Sequence, residues 1–232
     1  MSQNLVQDMR QTPIYTASEA AKYLRLPVST VRAWAFEQGY QVKGEARRFQ
    51  PVIAAADRKG RRLSFHNLIE LLVLAAIRRT HSVTLHQVRR AVDYLRKQFP
   101  TPHPLADHQF QTDGVDLFVE RFGQLLNISQ DGQIAMKHLI QAYLKLVERD
   151  DSGVPIKLHL LRTARPDASR GAVVIDPRYG FGRPVLDGRG IRTEVIVERF
   201  QAGEPIESLA TDYALGADVI EEIIRSQLPL AA

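Results

Sequence analysis

A chain of 232 residues, 44% hydrophobic and 25% charged, has the composition of a globular protein with room for one large domain or two to three small ones. Its longest apolar run, Leu71 to Ile77, is too short to span a bilayer; the N-terminus lacks a signal peptide's apolar core; and there is no cysteine for a disulfide or thiolate site. A reducing cytoplasm is the expected setting, and the net charge of +5 hides an asymmetry: residues 1–99 balance at +10, residues 100–232 at −5.

The first ordered stretch, Thr16 to Phe36, reads as helix, tight turn, helix. Thr16 and Glu19 stand at capping-box spacing, and Ala20, Ala21 and Leu24 share one face. Pro27 breaks the pattern. Ser29 is then a good N-cap for a second helix with Val31, Trp34 and Ala35 inward and Thr30, Arg32 and Ala33 on the other side. A small residue at position 21 suits a close helix crossing, as in a helix-turn-helix that lays its second helix in a major groove. The spacing of Ala21, Leu24, Leu26, Ser29, Val31 and Trp34 resembles the MerR and excisionase group of winged helix-turn-helix proteins.

Gly39 is expected to end the recognition helix. Residues 41–63 read as extended structure, with Val52, Ile53 and Leu63 apolar and a turn at 57–62. Arg58, Lys59, Arg61 and Arg62 make that turn basic, as a wing lying beside a duplex would be, and Arg47 and Arg48 precede it. A basic third that contains the motif is what phosphate attraction requires.

Ser64 caps a helix over 65–79 that is apolar on nearly every side, so it is central or covered by a second subunit. Thr84 caps another, with Leu85, Val88, Val92, Leu95 and Phe99 in a stripe able to pair with a partner helix. Pro100, Pro102 and Pro104 mark a boundary. Residues 108–128 alternate through Phe110, Val115, Leu117 and Val119 and predict two or three short strands, turning at Asp113-Gly114. A helix over 134–149 and strands over 154–161 and 173–175 follow. His103, Asp107, His108 and Asp113 are close in sequence, but a solvated Pro-rich loop explains them without a metal, and neither metal nor cofactor is expected.

Residues 162–171 read as a linker. The glycines from 171 to 190 fit no phosphate-loop spacing and are assigned to tight turns. Three helices close the chain: one capped by Thr193, one opening at Pro205 and one after Leu215-Gly216. The last pair repeats helix-turn-helix spacing, but Asp218, Glu221 and Glu222 on its second helix oppose phosphate approach and suit a protein-binding module.

The expected architecture is mainly α with small antiparallel β elements (α+β): a winged helix-turn-helix over 1–99, a small α+β unit over 100–165 and a trihelical module over 166–232. Asp176-Pro177, Gly182-Arg183-Pro184-Val185, Gly188, Ile191, Phe200, Gly203, Ile206, Leu209-Ala210 and Asp212-Tyr213 make the C-terminal part similar to a bacterial three-helix domain of unknown function. That domain occurs in VapB-type antitoxins encoded beside PIN-like ribonuclease toxins, and the full arrangement resembles a long class of such antitoxins. The resemblance implies a bacterial, dimeric protein that represses its own operon and neutralises such a toxin. On the residues, Ser29, Thr30, Arg32, Arg47, Arg48, Arg58, Lys59, Arg61 and Arg62 would meet operator DNA, and Arg183, Arg189, Arg192 and Arg225 are candidates for the toxin. A MerR-like regulator whose middle unit senses a small effector is the second reading. An enzyme is disfavoured, because no convergent acid or histidine cluster stands out in the sequence.

Overall fold

The computed structural model describes residues 9–36, 38–42, 45–80, 84–126, 128–160 and 171–227, and of 38–42, 45–49, 80, 125–126 and 227 the backbone only. The predicted linker, apart from Gly171, falls outside these residues.

Helix α1 (Ala17–Leu24) carries the expected capping box: the Thr16 hydroxyl accepts from the Glu19 N–H at 3.1 Å, and the Glu19 carboxylate accepts from the Thr16 N–H at 2.8 Å. Helix α2 (Val28–Ala35) starts earlier than the Ser29 cap predicts. Pro27 is its N-cap, because a ring-fixed φ of −61° with extended ψ turns the chain directly into the helix, and Ser29 lies exposed within the first turn. Phe36, with extended backbone, closes α2. Gly39 therefore does not stop the helix; it lies in β1 (Gln38–Val42), opposite Arg48 of β2 (Glu45–Phe49).

The extended region predicted over 41–63 divides into two hairpin-like parts. After the β1–β2 hairpin the chain bends through buried Val52 and Ile53, whose N–H groups both donate to the Trp34 carbonyl, at 2.7 and 3.1 Å. Pro51 just before them has no donor for a strand ladder. The turn at 57–62 forms as expected, closed by paired backbone hydrogen bonds between Asp57 and Arg62.

Helix α3 (Phe65–Thr80) is capped by Ser64, whose hydroxyl accepts from the Asn67 N–H at 3.3 Å while Asn67 Oδ1 accepts from the Ser64 N–H at 3.1 Å. Residues 68–77 are all buried, so the molecule's own elements cover the apolar helix and no second subunit is needed to do so. Helix α4 (Leu85–Gln98) has its Thr84–Gln87 capping box and buries Val88, Ala91, Val92 and Leu95.

The strands predicted over 108–128 are not there. A π-helical turn, Phe110–Gly114, runs into α5 (Val115–Leu126). Alternation and helical period overlap in this stretch, and the large rings decide: Phe110, Phe118 and Phe122 are fully buried, and the last two, four residues apart, stack at 5.3 Å. Helix α6 (Gln130–Leu144), capped by Ser129, ends before the predicted limit, and Ile134 is 47% exposed rather than inward. The residues beyond it form β3 (Val147–Arg149).

Strands β3, β4 (Pro155–His159), β5 (Val173–Ile175) and β6 (Pro184–Leu186) make one antiparallel sheet in sequence order. Strands were expected at β4 and β5; β6 hides in the glycine-rich stretch assigned to turns. The sheet takes strands from both sides of the boundary predicted at 165, so the middle and C-terminal parts share it. Helices α7 (Thr193–Gln201), α8 (Ile206–Tyr213) and α9 (Ala217–Gln227) complete the expected trihelical end. Arg192 rather than Thr193 is the N-cap of α7; Thr193 is buried and donates its hydroxyl to the Pro184 carbonyl at 3.2 Å, which ties α7 to β6.

Candidate nucleic-acid interface

Helix α2 turns Val31, Trp34 and Ala35 into the core, and its 100° step per residue leaves Ser29 and Arg32 exposed with Thr30 and Ala33 half-buried. That is the predicted division of faces. Ala21 is buried on α1, as a close helix crossing requires.

The basic turn is held against the end of α2. Arg61 stacks its guanidinium over the Phe36 ring at 5.0 Å, and Arg62 donates to the Ile14 carbonyl at 3.5 Å. Arg58, Lys59, Arg61 and Arg62 are all exposed. At the tip the Gly60 N–H donates to an Asp57 carboxylate oxygen at 2.9 Å. Arg61 beside it adopts φ 51°. Arg47 and Arg48 lie on β2, opposite Tyr40 and Gly39; their side chains fall outside the described set. The sequence missed this second basic hairpin, because Gly39 read as a helix stop.

The four C-terminal arginines are not gathered at one point. Arg183 donates to the Glu19 carboxylate on α1 and reaches Tyr23 Oη at 3.4 Å. Arg189 donates to the last carbonyls of α8, including Ala214 O at 3.1 Å. Arg192 faces Glu194 at 3.9 Å. Arg225 pairs with Glu221, one turn back on α9. Of the acids on that helix, Glu222 accepts the Ala172 N–H at 3.0 Å and so serves the fold.

Two polar clusters lie away from these surfaces. Glu70 is fully buried on α3; it accepts from Asn67 at 3.1 Å and lies 2.9 Å from His103 Nδ1. His66 stacks on His103 at 5.2 Å, and burial pushes its pKa down to about 4, so it is neutral at physiological pH. The loop residues weighed for a metal are engaged singly: Asp107 accepts the Gln109 N–H, and Asp113 contacts Thr112. Glu148, His159 and Asp187 offer ligand atoms within 4.8 Å of one another. Lys157 already stands among them, donating to Asp187 at 2.7 Å and lying 3.3 Å from Glu148, so this set is an internal ion-pair network. Although burial opposes ionisation, the His159 and Lys157 contacts hold Glu148 below its ordinary pKa, and Lys157 does the same for Asp187.

A helix-turn-helix with an exposed polar face on its second helix and a basic turn locked beside it defines a DNA-binding protein. Comparison with known proteins agrees: a family described as "Putative DNA-binding HTH domain" matches residues 13–92, and one described as "Protein of unknown function (DUF433)" matches residues 173–225. A Mycobacterium tuberculosis protein named "Putative antitoxin VapB45" is 31% identical over 91% of this chain and 92% of its own length. "Uncharacterized protein Rv2308" of the same organism is 24% identical over 94% of this chain and 92% of its own. The crystal structure of Rv2018 from Mycobacterium tuberculosis superposes with a TM-score of 0.68 at 27% identity, covering 92% of this chain and 98% of that one. The chain belongs to the VapB-type antitoxin family, as a DNA-binding member. Among the described residues no helix is long and apolar enough to cross a membrane.

Proposed function

We propose that this antitoxin represses its own operon as a homodimer in the bacterial cytoplasm and holds a PIN-like ribonuclease toxin inactive through its C-terminal module. The observation that carries the DNA half is Arg61 stacked on Phe36, which ties a turn bearing four exposed cations to the C-terminal end of α2. On this reading Ser29, Thr30 and Arg32 meet base edges or backbone, and Arg47, Arg48, Arg58, Lys59, Arg61 and Arg62 neutralise phosphates. A dimer presents two such units to two half-sites about one helical turn apart.

The toxin half rests on the family and on charge. Beyond residue 99 the chain balances at −5, so phosphate approach is disfavoured there and the surface is left for a protein. An arginine suits the metal-binding carboxylates of a nuclease. Arg183, Arg189, Arg192 and Arg225 remain the candidates, with Arg192 the least committed within the chain: its carboxylate neighbour is 3.9 Å away.

The test uses the full chain, a labelled duplex from upstream of its own gene, and the purified product of the neighbouring reading frame. Binding that weakens steeply with salt, together with suppression of ribonuclease activity near one-to-one stoichiometry, is the expected result. DNA binding without any effect on the neighbouring product would reduce the reading to a plain DNA-binding regulator.

A further inference from the structure

The loop between β5 and β6 carries the most exposed large apolar side chain among the described residues. Phe181 is 88% exposed and Tyr179 54%. Phe181 also sits at φ 54° and ψ 36°, in the left-handed region, where a bulky residue is strained. The glycines on either side, Gly180 and Gly182, have positive φ as well. Within the chain the ring gains nothing in return, because water surrounds it.

The loop is nonetheless rigidly held. Tyr15, fully buried, donates its hydroxyl to the Gly182 carbonyl at 2.8 Å. Asp176, buried, accepts the Arg178 N–H at 2.9 Å and the Arg178 guanidinium at 2.9 and 2.6 Å. The Gly182 N–H donates to Tyr179 O and the Arg183 N–H to Gly180 O, both at 3.0 Å. These contacts hold the ring out in solvent in one backbone conformation, so little freedom is lost when a partner covers it.

We propose that Tyr179 and Phe181 are the apolar anchor by which this antitoxin grips its toxin, Phe181 entering an apolar pocket rimmed by carboxylates. The proposal rests on the toxin-neutralising reading above. Partner chemistry follows from the neighbours. Arg178 stacks over Tyr179 at 5.7 Å, and Arg183 follows two residues after the ring. In the Arg178–Asp176 pair the cation is 41% exposed against 2% for the acid, and in Arg183–Glu19 it is 38% against 26%. A basic rim around an aromatic knob fits an acidic rim around a pocket. A second copy on a two-fold axis would set arginine against arginine, which disfavours self-association here. Aromatic rings and arginine are the residue types that dominate binding energy at interface centres.

The test compares Phe181→Gly and Phe181→Trp with the parent chain, measuring affinity for the purified ribonuclease encoded beside the gene, affinity for the upstream duplex, Tm and sedimentation. Glycine suits the backbone at this position, so Phe181→Gly should keep or raise Tm and leave DNA affinity unchanged. Its toxin affinity should fall about thirtyfold or more. Phe181→Trp, which keeps an aromatic knob, should stay within about threefold of the parent. Parent-like toxin affinity in Phe181→Gly overturns the anchor and leaves neutralisation standing. A parent chain that does not bind the ribonuclease overturns both. Loss of self-association with unchanged toxin affinity would assign the ring to a contact between copies and equally overturn the proposal.

Discussion

Trp34 is 2% exposed at the last turn of α2, and its carbonyl takes the N–H groups of both Val52 and Ile53. One residue thus fixes the orientation of the recognition helix and the path of the chain toward the basic turn. Trp34→Ala should cost about 3–5 kcal/mol, read as a lowered urea midpoint; a parent-like midpoint would show that the ring does not fill the core. Glu19 accepts from both the Thr16 N–H and Arg183. Burial works against its charge, but the hydrogen bonds from Thr16 and from Arg183 outweigh this, so its folded pKa lies below the ordinary value. Its contribution to stability is complete above the unfolded pKa and is lost as pH falls through the folded one. Glu19→Gln can still accept the Thr16 N–H and keep the cap, but it loses the charge that Arg183 meets. The variant should be less stable than the parent at pH 7, and the gap should close as pH falls below the ordinary carboxylate range and through the lowered pKa of Glu19. A gap independent of pH would assign its effect to the cap.

At the scale of elements, what could be read in the sequence was what depends on near neighbours. Thr16 with Glu19, and Ser64 and Thr84 by themselves, read as caps and each caps its helix in the fold, whereas Ser29 and Thr193, read the same way, give place to Pro27 and Arg192. The faces of α2 followed from helical period alone. The turn at 57–62 was legible through Gly60. Residues 108–128 misled because Val115, Leu117 and Val119 alternate while Phe118 and Phe122 keep helical spacing, and only packing against the core selects between the two. The knob at Phe181 was illegible for a related reason: Gly180 and Gly182 announce a turn, but not which neighbour is left in the solvent. Replacing Arg58, Lys59, Arg61 and Arg62 together with Ala should flatten the plot of log affinity against log salt by about 0.9 for each phosphate that is no longer neutralised. Arg61→Ala alone should do more than Lys59→Ala, because it also releases the turn from Phe36. An unchanged slope in the fourfold variant would remove the turn from the DNA interface.

In the whole molecule, the two ends that the sequence sets apart by charge are joined in the fold. Tyr15 reaches Gly182, Arg183 reaches Glu19, and Arg25 donates to the Arg225 carbonyl at 3.3 Å, so α1 is the surface on which the C-terminal module sits. The shared sheet adds a second tie: cutting the chain after residue 160 strips β5 and β6 from β4 and bares an unpaired edge. Such a shortened chain should aggregate even though α1 to α4 are intact in it. The docking itself can be tested at Gly182, where a Cβ would lie 2.5 Å from Tyr15 Oη and 2.7 Å from Ile14 Cδ1, at φ 73°. In the parent, emission from the single tryptophan, Trp34, should follow the same urea transition as far-UV circular dichroism. In Gly182→Ala the two should separate, with helix signal lost from the C-terminal module before Trp34 emission changes. Coincident transitions at the parent midpoint would mean that the loop absorbs the methyl group without undocking, and that Arg183–Glu19 and Arg25–Arg225 suffice to hold the two ends together.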